Sequence, residues 1–230
     1  MKILIINQFA DNKGDRAVLH VLVQLIRETR KDADITVSTT RPEAWADTAL
    51  PESGPDNKVK FVPWSGPRPI SLLPKRVNGI ISRRWVYPSI VDSVLNDEGL
   101  KASITPFLNK EFLDALTNAD LVISTGGHHF TNWFAKSGVS VLFQDLALAI
   151  ILKKPTYLWS QTIGPLGFTD DTNQRFMIKT LESCRAIYVR DTVSHLDVEK
   201  VGMSPKGLVK TLESVFALKV SEIVPPAERP

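Results

Sequence analysis

Glycines, histidines and an arginine that could bind an anionic substrate follow short apolar segments of the sequence. The stretch STGGHHF, which contains Gly126, Gly127 and His128, comes directly after the apolar run LVI. Paired glycines let the backbone approach a ligand closely, and their exposed amides favour an anion. Arg190 follows the apolar run AIYV, and a guanidinium suits bidentate recognition of a carboxylate or a phosphate. The pattern predicts an anion site at the ends of buried strands.

His128 and His129 could be metal ligands, acid–base groups or contacts to a sugar. Adjacent side chains on extended backbone point to opposite sides, so the pair is poorly suited to hold one metal ion. No cysteine or further histidine lies nearby in the sequence to complete a zinc site. We therefore predict that His128 acts on the substrate and that the site contains no metal.

Polar and glycine residues follow the other apolar runs as well. Asn7 follows the run KILII, and Gly14 precedes Asp15 where a helical pattern begins. The segment SQTIGP contains Gln161 and Gly164 and follows a third apolar run. Because the carboxyl ends of parallel strands share one edge with helix N-termini, these residues are expected to meet there. Neither GxGxxG nor GxxxxGK[ST] occurs, which excludes the common nucleotide-phosphate fingerprints.

The segment RDTVS supplies Arg190, Asp191 and Ser194 to the same predicted edge. Two interpretations of it stay open alongside substrate binding. The Arg190 guanidinium could form an ion pair with Asp191 or with Asp15, and the Asp191 carboxylate could cap the following helix.

Strand and helix patterns alternate along most of the chain, which favours a parallel α/β sheet with helices on both faces. Strands are predicted at 2–8, 34–40, 59–64, 120–124, 155–161, 185–190 and 207–212. Helices are predicted at 15–31, 105–118, 139–153, 170–183 and 192–201, with the residues between 124 and 139 as a loop. The expected fold class is therefore α/β with a Rossmann-like sheet.

Composition limits the cellular context. Cys184 is the only cysteine among 230 residues, so an internal disulfide is excluded and a reducing compartment is favoured. The apolar run that follows Met1 is too short for a signal-peptide core, and no window approaches 18 apolar residues. We predict a cytoplasmic protein, with a position at the inner face of the membrane as an alternative. The net charge of +3 permits an anionic ligand and gives no indication of nucleic-acid binding.

The segment from 65 to 100 is rich in proline and basic residues and is predicted to be an irregular insertion. Arg83, Arg84 and Trp85 lie together within it. Such a mixture is typical of a solvated insertion, and it also occurs where a protein contacts a membrane surface. A peripheral contact with a membrane and a lipid-linked partner are the alternatives that this segment leaves open.

Several of these pieces together resemble the polysaccharide pyruvyl transferase family. They are Asn7 with GDRA at 14–17, LVISTGG at 121–127, SQTIGP at 160–165, YVRDTVS at 188–194 and SVFAL at 214–218. The resemblance implies a two-domain enzyme of the GT-B type. Residues 1–218 would form its N-terminal, acceptor-side half, and 219–230 would form a linker toward a missing C-terminal domain.

The resemblance also implies a reaction, in which the enolpyruvyl unit of phosphoenolpyruvate moves to a sugar hydroxyl and leaves a pyruvate ketal. The acceptor would be a sugar or lipid-linked sugar of a cell-wall polymer or exopolysaccharide, and no cofactor would be needed. The chain departs from the family pattern where His128 replaces a third glycine and where Glu213 must supply an acidic residue. It also lacks a counterpart of the Arg-x-His motif of the family's second half.

Such a reaction requires an anion clamp and a base for the attacking hydroxyl. We assign the clamp to Arg190 and the base to Asp15 or His128. Substrate contacts are assigned to Asn7, Gly14, Thr125, Gly126, Gly127, Gln161, Gly164, Asp191 and Ser194. Two other functions remain in competition: a GT-B glycosyltransferase that uses a nucleotide sugar, and a non-catalytic carbohydrate-binding domain.

Overall fold

A parallel sheet of eight strands forms the centre of the computed structural model, which describes residues 1–9, 13–45, 50, 58–66, 81–131, 141–167, 170–203 and 207–218. The strands are β1 (Lys2–Gln8), β2 (Asp34–Thr39), β3 (Lys60–Pro63), β4 (Leu121–Ser124), β5 (Gly127–Phe130), β6 (Thr156–Ile163), β7 (Ala186–Val189) and β8 (Leu208–Lys210). Their order is β3-β2-β1-β4-β6-β7-β8, and β5 pairs with the carboxyl-terminal part of β6. All seven strand pairs are parallel, so every strand ends at the same edge.

Six α-helices and several short helical turns connect the described strands. The α-helices are α1 (Lys13–Thr29), α2 (Tyr87–Leu95), α3 (Lys110–Asn118), α4 (Val141–Ile151), α5 (Asp171–Glu182) and α6 (Thr192–Lys200). A π-helical turn at Ser82–Val86 leads into α2, and 3-10 turns occur at Pro42–Trp45, Thr105–Phe107 and Ser214–Ala217.

The helices lie on opposite faces of the sheet, as the right-handed crossover rule requires. From β1 the chain steps to β2 and β3 in one direction, and from β4 it steps to β6, β7 and β8 in the other. Buried residues of α1 therefore pack with Ile3 and Ile5 on one face. Buried residues of α2 to α6 pack with Leu4 and Ile6 on the other. Helices on both faces of a parallel sheet confirm the predicted α/β fold class.

The sequence missed one strand and misplaced one helix start. Residues 127–130, predicted to be part of a loop, form β5 because their backbone pairs with Gln161 and Ile163 of β6. The helix predicted from Thr105 begins at Lys110. Thr105–Phe107 is a single 3-10 turn, and Asn109 caps α3 by accepting a hydrogen bond from the Phe112 amide at 3.2 Å.

The basic insertion is partly helical, which contradicts its prediction as irregular over 82–95. Pro88 lies in the first turn of α2, where a proline is tolerated because that position has no intrahelical N–H bond. The Arg84 side chain is exposed, and the Trp85 side chain is 52% exposed. Residues 67–80 of this insertion, and the predicted linker at 219–230, lie outside the described residues. None of the described helices is long and apolar enough to cross a membrane.

The cap of α3 gives a direct test of this architecture. Asn109→Ala should lower the free energy of unfolding by about 1 kcal/mol, because the Phe112 amide loses its hydrogen-bond acceptor. Asn118→Ala makes the same replacement at the other end of α3, where the side chain is exposed, and should change stability much less. Chemical denaturation of both variants measures the difference, and equal effects would contradict the assigned cap.

Candidate active site

Arg190 provides a half-buried positive charge at the carboxyl end of β7. Its Nε donates to Thr162 Oγ1 at 2.6 Å, and its Nη1 forms an ion pair with the Glu213 carboxylate. The side chain is 26% exposed, and burial lowers the pKa of Arg190, an effect that the nearby carboxylates of Asp191 and Asp15 oppose. The ion-pair partner is thus Glu213, in place of the Asp191 or Asp15 that the sequence suggested.

A chain of hydrogen bonds fixes the position of Arg190. Thr162 Oγ1 donates to Asp191 Oδ2 at 3.1 Å, and Asp191 Oδ1 accepts from the Ser194 amide at 2.7 Å. Ser194 Oγ also donates to Asp191 and accepts from the Ile163 amide at 2.8 Å. Asp191 is therefore the N-cap of α6, as predicted, and it holds Arg190 through Thr162. Burial raises the pKa of Asp191, but hydrogen bonds from Ser194 outweigh it and the net direction is downward.

Asp15 lies in the first turn of α1, next to the exposed Gly14, and its carboxylate is close enough to Arg190 for mutual electrostatic stabilisation. The side-chain nitrogen Nε2 of Gln8 donates a hydrogen bond to the backbone carbonyl of Asp15 at 3.0 Å and joins this turn to the end of β1. Burial raises the pKa of Asp15, and the Arg190 charge offsets part of that rise. A carboxylate with a raised pKa beside a cation has the character of a general base.

The two adjacent histidines have different environments. His128 Nε2 donates to the Gly164 carbonyl oxygen at 2.6 Å, so this nitrogen is engaged with the backbone. His129 is buried, its ring packs 5.5 Å from that of Phe9, and its Nδ1 has no hydrogen-bond partner. Burial lowers the pKa of His129 to about 4, and the charges of Arg190 and His128 add to that effect. His129 is therefore a neutral imidazole beside the Arg190 guanidinium.

Asn7, Thr125 and Gln161 tie the ends of three adjacent strands together. Asn7 has a left-handed backbone (φ 65°), and its Nδ2 donates to Ser124 Oγ at 3.0 Å. Thr125 Oγ1 donates to the Asn7 carbonyl at 3.1 Å, and Gln161 Nε2 donates to the Thr125 carbonyl. The side-chain oxygens of Asn7 and Gln161 are buried and have no hydrogen-bond partner. Buried acceptors are nearly always paired, so these two oxygens are unusual among the polar atoms of this edge.

The paired glycines make room for protein atoms. A Cβ at Gly126 would lie 2.9 Å from the Ser160 carbonyl oxygen, and a Cβ at Gly127 would lie 2.3 Å from His129 Nε2. Gly126 therefore allows the chain to pass close to β6, and Gly127 allows the His129 ring to fold back over the backbone. A Cβ at Gly164 would similarly meet Asp197. The close approach to a ligand that the sequence suggested for Gly126 and Gly127 is an approach to neighbouring protein groups.

The structure places all of the predicted site residues along one edge of the sheet. Asp15 and Arg190 interact electrostatically there, whereas Thr125, Asp191 and Ser194 are engaged in structural hydrogen bonds. Sequence reasoning missed Thr162, chose His128 over His129, and did not place Glu213 beside Arg190. The need for an acidic residue before SVFAL did point to Glu213, but no sequence signal distinguished His129 from His128. Among the described residues, no cluster of three His, Cys, Asp or Glu side chains could hold a metal ion.

The environment of His129 predicts its titration. The imidazole should titrate near pH 4, below its ordinary pKa of 6.5, because burial opposes its charge. Between these values the unfolded chain binds more protons than the folded chain. The stability that this residue contributes is therefore complete above pH 6.5 and falls by about 3 kcal/mol toward pH 4. NMR titration of labelled histidine, with His129→Gln to assign the resonance, measures this pKa. A midpoint near 6.5 would contradict the buried, neutral ring.

Comparison with known proteins matches this chain to a sequence family. The family model described as polysaccharide pyruvyl transferase matches residues 12–211. The amylovoran biosynthesis protein AmsJ of Erwinia amylovora is 23% identical over 230 residues, which are 98% of this chain and 51% of that protein. The chain therefore spans about half the length of this relative.

Solved structures show only a distant likeness. UDP-GlcNAc 2-epimerase of Methanocaldococcus jannaschii aligns with 94% of this chain and 46% of its own, at 9% identity and a TM-score of 0.48. The UGT2 protein of Phytolacca americana, complexed with UDP-2-fluoro-glucose and pterostilbene, aligns with 92% and 53%, at 12% identity and a TM-score of 0.39. The family match covers far more than half of the sequence. This chain belongs to the polysaccharide pyruvyl transferase family.

Proposed function

We propose that this protein transfers the enolpyruvyl unit of phosphoenolpyruvate to a sugar of an exopolysaccharide or cell-wall precursor and forms a pyruvate ketal. Family membership supports pyruvyl transfer, and the amylovoran biosynthesis relative supports a role in exopolysaccharide synthesis. The observation that carries the chemistry is the half-buried Arg190 guanidinium at the end of β7, within electrostatic reach of the Asp15 carboxylate.

The reaction needs two additions to the same carbon of phosphoenolpyruvate. Protonation of its methylene carbon lets one sugar hydroxyl add to the central carbon. Loss of inorganic phosphate then lets a second hydroxyl add to that carbon and close the ketal. One hydroxyl proton is balanced by the proton taken up at the methyl carbon, and the other leaves with phosphate. The site must therefore stabilise an anion and accept protons from hydroxyl groups.

Arg190 is suited to stabilise the donor anion. Its Nε and Nη1 are engaged by Thr162 and Glu213, and a guanidinium carries five N–H donors. The Nη2 donors can therefore contact a carboxylate or a phosphate. Because Thr162 and Glu213 fix the plane of the guanidinium, little side-chain freedom is lost on binding, and the contact is correspondingly stronger.

Asp15 is suited to accept a proton from the sugar hydroxyl. Its pKa is raised by burial, which makes its carboxylate a better base than an exposed one. The neighbouring Arg190 charge keeps it ionised. Asn7 and Gln161 are buried beside it, and their hydrogen bonds to Ser124 and Thr125 hold the strand ends that flank the sugar.

A ligand screen separates this proposal from a nucleotide-sugar glycosyltransferase. The complete gene product should be stabilised against thermal unfolding by phosphoenolpyruvate, because ligand binding to the folded state raises its stability. UDP-glucose and UDP-N-acetylglucosamine serve as comparison ligands. Stabilisation by a nucleotide sugar and none by phosphoenolpyruvate would overturn the proposed donor.

Replacement of Arg190 tests its role as anion clamp. Arg190→Ala should lower kcat/KM for phosphoenolpyruvate by more than about tenfold, because a charged hydrogen bond contributes about 1.5–3 kcal/mol. Arg185→Ala is a matched control, since Arg185 is exposed at the opposite end of the same strand region. Steady-state kinetics of both variants measures the effect. Equal kinetics of Arg190→Ala and the native enzyme would remove Arg190 from the site.

Replacement of Asp15 tests the proposed base through the pH profile. In the native enzyme kcat/KM should fall as the pH falls through the raised pKa of Asp15, because a protonated carboxyl group cannot accept the hydroxyl proton. Asp15→Asn should abolish most of the rate and remove this acidic limb. The exposed Asp114 provides the control Asp114→Asn. An acidic limb that survives in Asp15→Asn would assign the base to another residue.

A further inference from the structure

An exposed patch of aromatic and basic side chains lies where the basic insertion enters α2. The Trp85 side chain is 52% exposed, and its ring packs on that of Phe107 with the ring centroids 6.0 Å apart. Arg84 and Pro106, the sequence neighbours of these two rings, are exposed as well. We call these four residues the Trp85 patch. The roles assigned above to Arg190 do not involve it.

An apolar groove continues from the Trp85 patch. Pro106 forms one of its walls, and the groove has a volume of about 440 Å³. Its other apolar walls are four leucines, Leu100, Leu108, Leu113 and Leu152. The charged residues of the lining, Lys110 and Asp114, form an ion pair at 3.1 Å and so balance each other. A single exposed tryptophan needs no explanation, but an exposed ring beside an apolar groove is typical of an interaction surface.

Positive charge is concentrated in the segment that supplies the patch. Residues 65–91 contain no Asp or Glu and five basic residues, which are Arg68, Lys75, Arg76, Arg83 and Arg84. Because the whole chain has a net charge of only +3, the remaining residues together are net negative. An anionic partner is therefore attracted to this segment more than to the rest of the protein.

An anionic lipid bilayer fits this combination of features. Tryptophan side chains favour the boundary between headgroups and acyl chains, where the ring is in an apolar environment and its N–H stays hydrated. Basic side chains are attracted to anionic headgroups at the same depth. A nucleic acid would match the charge, but it has no hydrocarbon to cover a groove lined by leucines. The apolar part of the surface therefore favours a bilayer.

Hydrogen bonds hold the patch close to the strand ends. Tyr87, two residues after Trp85, donates from its hydroxyl to Asn173 Oδ1 at 3.0 Å in the first turn of α5. Asn109, two residues after Phe107, donates from its amide at 3.2 Å to the carbonyl of the second residue after β3. Helix N-termini and strand ends share one edge of a parallel sheet. The patch therefore lies on the side of the molecule that holds Arg190.

We propose that the Trp85 patch is a membrane-contact surface that binds an anionic lipid bilayer peripherally. The Trp85 ring would lie at the level of the headgroups, Arg84 would contact an anionic headgroup, and the groove beside Pro106 would face the start of the acyl chains. The inference goes beyond the proposed function and does not depend on the identity of the donor. A bilayer bound there would bring the edge that holds Arg190 next to the lipid surface.

Vesicle co-sedimentation of the complete gene product, without phosphoenolpyruvate, tests this surface. Vesicles of phosphatidylcholine mixed with phosphatidylglycerol should bind the protein about tenfold more tightly than vesicles of phosphatidylcholine alone. Added salt should weaken the binding because it screens charge. Arg84→Gln should weaken it about fivefold, which is the contribution of one basic residue at an anionic surface. Trp85→Ala should weaken it about tenfold through loss of apolar contact with the bilayer.

Matched variants separate membrane contact from folding defects. Arg185→Gln removes an exposed arginine at the start of β7, on the opposite edge of the sheet. Phe216→Ala removes an aromatic side chain that is 79% exposed outside the patch. Both variants should bind vesicles as the native protein does. Arg84→Gln changes no aromatic contact, so it tests the patch even if Trp85→Ala lowers stability, which thermal unfolding of each variant measures.

The outcomes distinguish this inference from the proposed reaction. Equal binding to vesicles with and without phosphatidylglycerol, or native affinity in Arg84→Gln or in folded Trp85→Ala, would overturn the membrane-contact surface. Binding to polyuridylate and not to vesicles would overturn it in favour of a nucleic-acid surface. Patch-dependent vesicle binding without any transfer from phosphoenolpyruvate would retain the surface and overturn the reaction.

Discussion

The candidate site depends on balancing the positive charge of the Arg190 guanidinium, which the fold partly buries. Arg190 ends β7 among parallel strands, and partial burial makes an uncompensated guanidinium costly at this position. Glu213 balances the charge directly through an ion pair. Thr162 accepts a hydrogen bond from Arg190 and donates one to Asp191, the cap of α6, so the position of Arg190 is fixed by the start of that helix. The same ion pair attaches the segment after β8 to the edge of the sheet. The Arg190–Glu213 ion pair therefore both positions the Arg190 side chain and holds the segment after β8 against the sheet.

The sequence indicated the fold more completely than it indicated these contacts. Apolar runs identified β1, β4, β6 and β7, because strands buried on both faces must be apolar nearly throughout. β5 lacks such a run, since its GHHF sequence acquires strand geometry only through pairing with β6. Pro88 concealed α2 because a proline interrupts a helical pattern, even where its position in the first turn is compatible with a helix.

Contacts between distant segments explain what remained hidden in the candidate site. The common edge of parallel strands was enough to predict that Asn7, Gln161 and Arg190 would lie near one another. It could not show that Arg190 pairs with Glu213, because side-chain direction and loop course decide that contact. Nor could it show that the His129 ring occupies the space where a side chain at Gly127 would lie. The types and order of the residues were enough to predict which edge of the sheet holds the candidate site. Packing of side chains from distant segments determines the contacts that each of those residues makes.

Burial also determines how the stability of this part of the fold depends on pH. Burial disfavours the charged forms of both His129 and Asp145, but the consequences for stability have opposite signs. The lowered pKa of His129 makes stability rise with pH, and the raised pKa of Asp145 makes it fall over much of the same range. An anion bound to Arg190 would weaken the repulsion that helps to keep His129 neutral. If the proposed donor binds at Arg190, it would raise the pKa of His129 and link the protonation of this buried imidazole to occupation of the guanidinium.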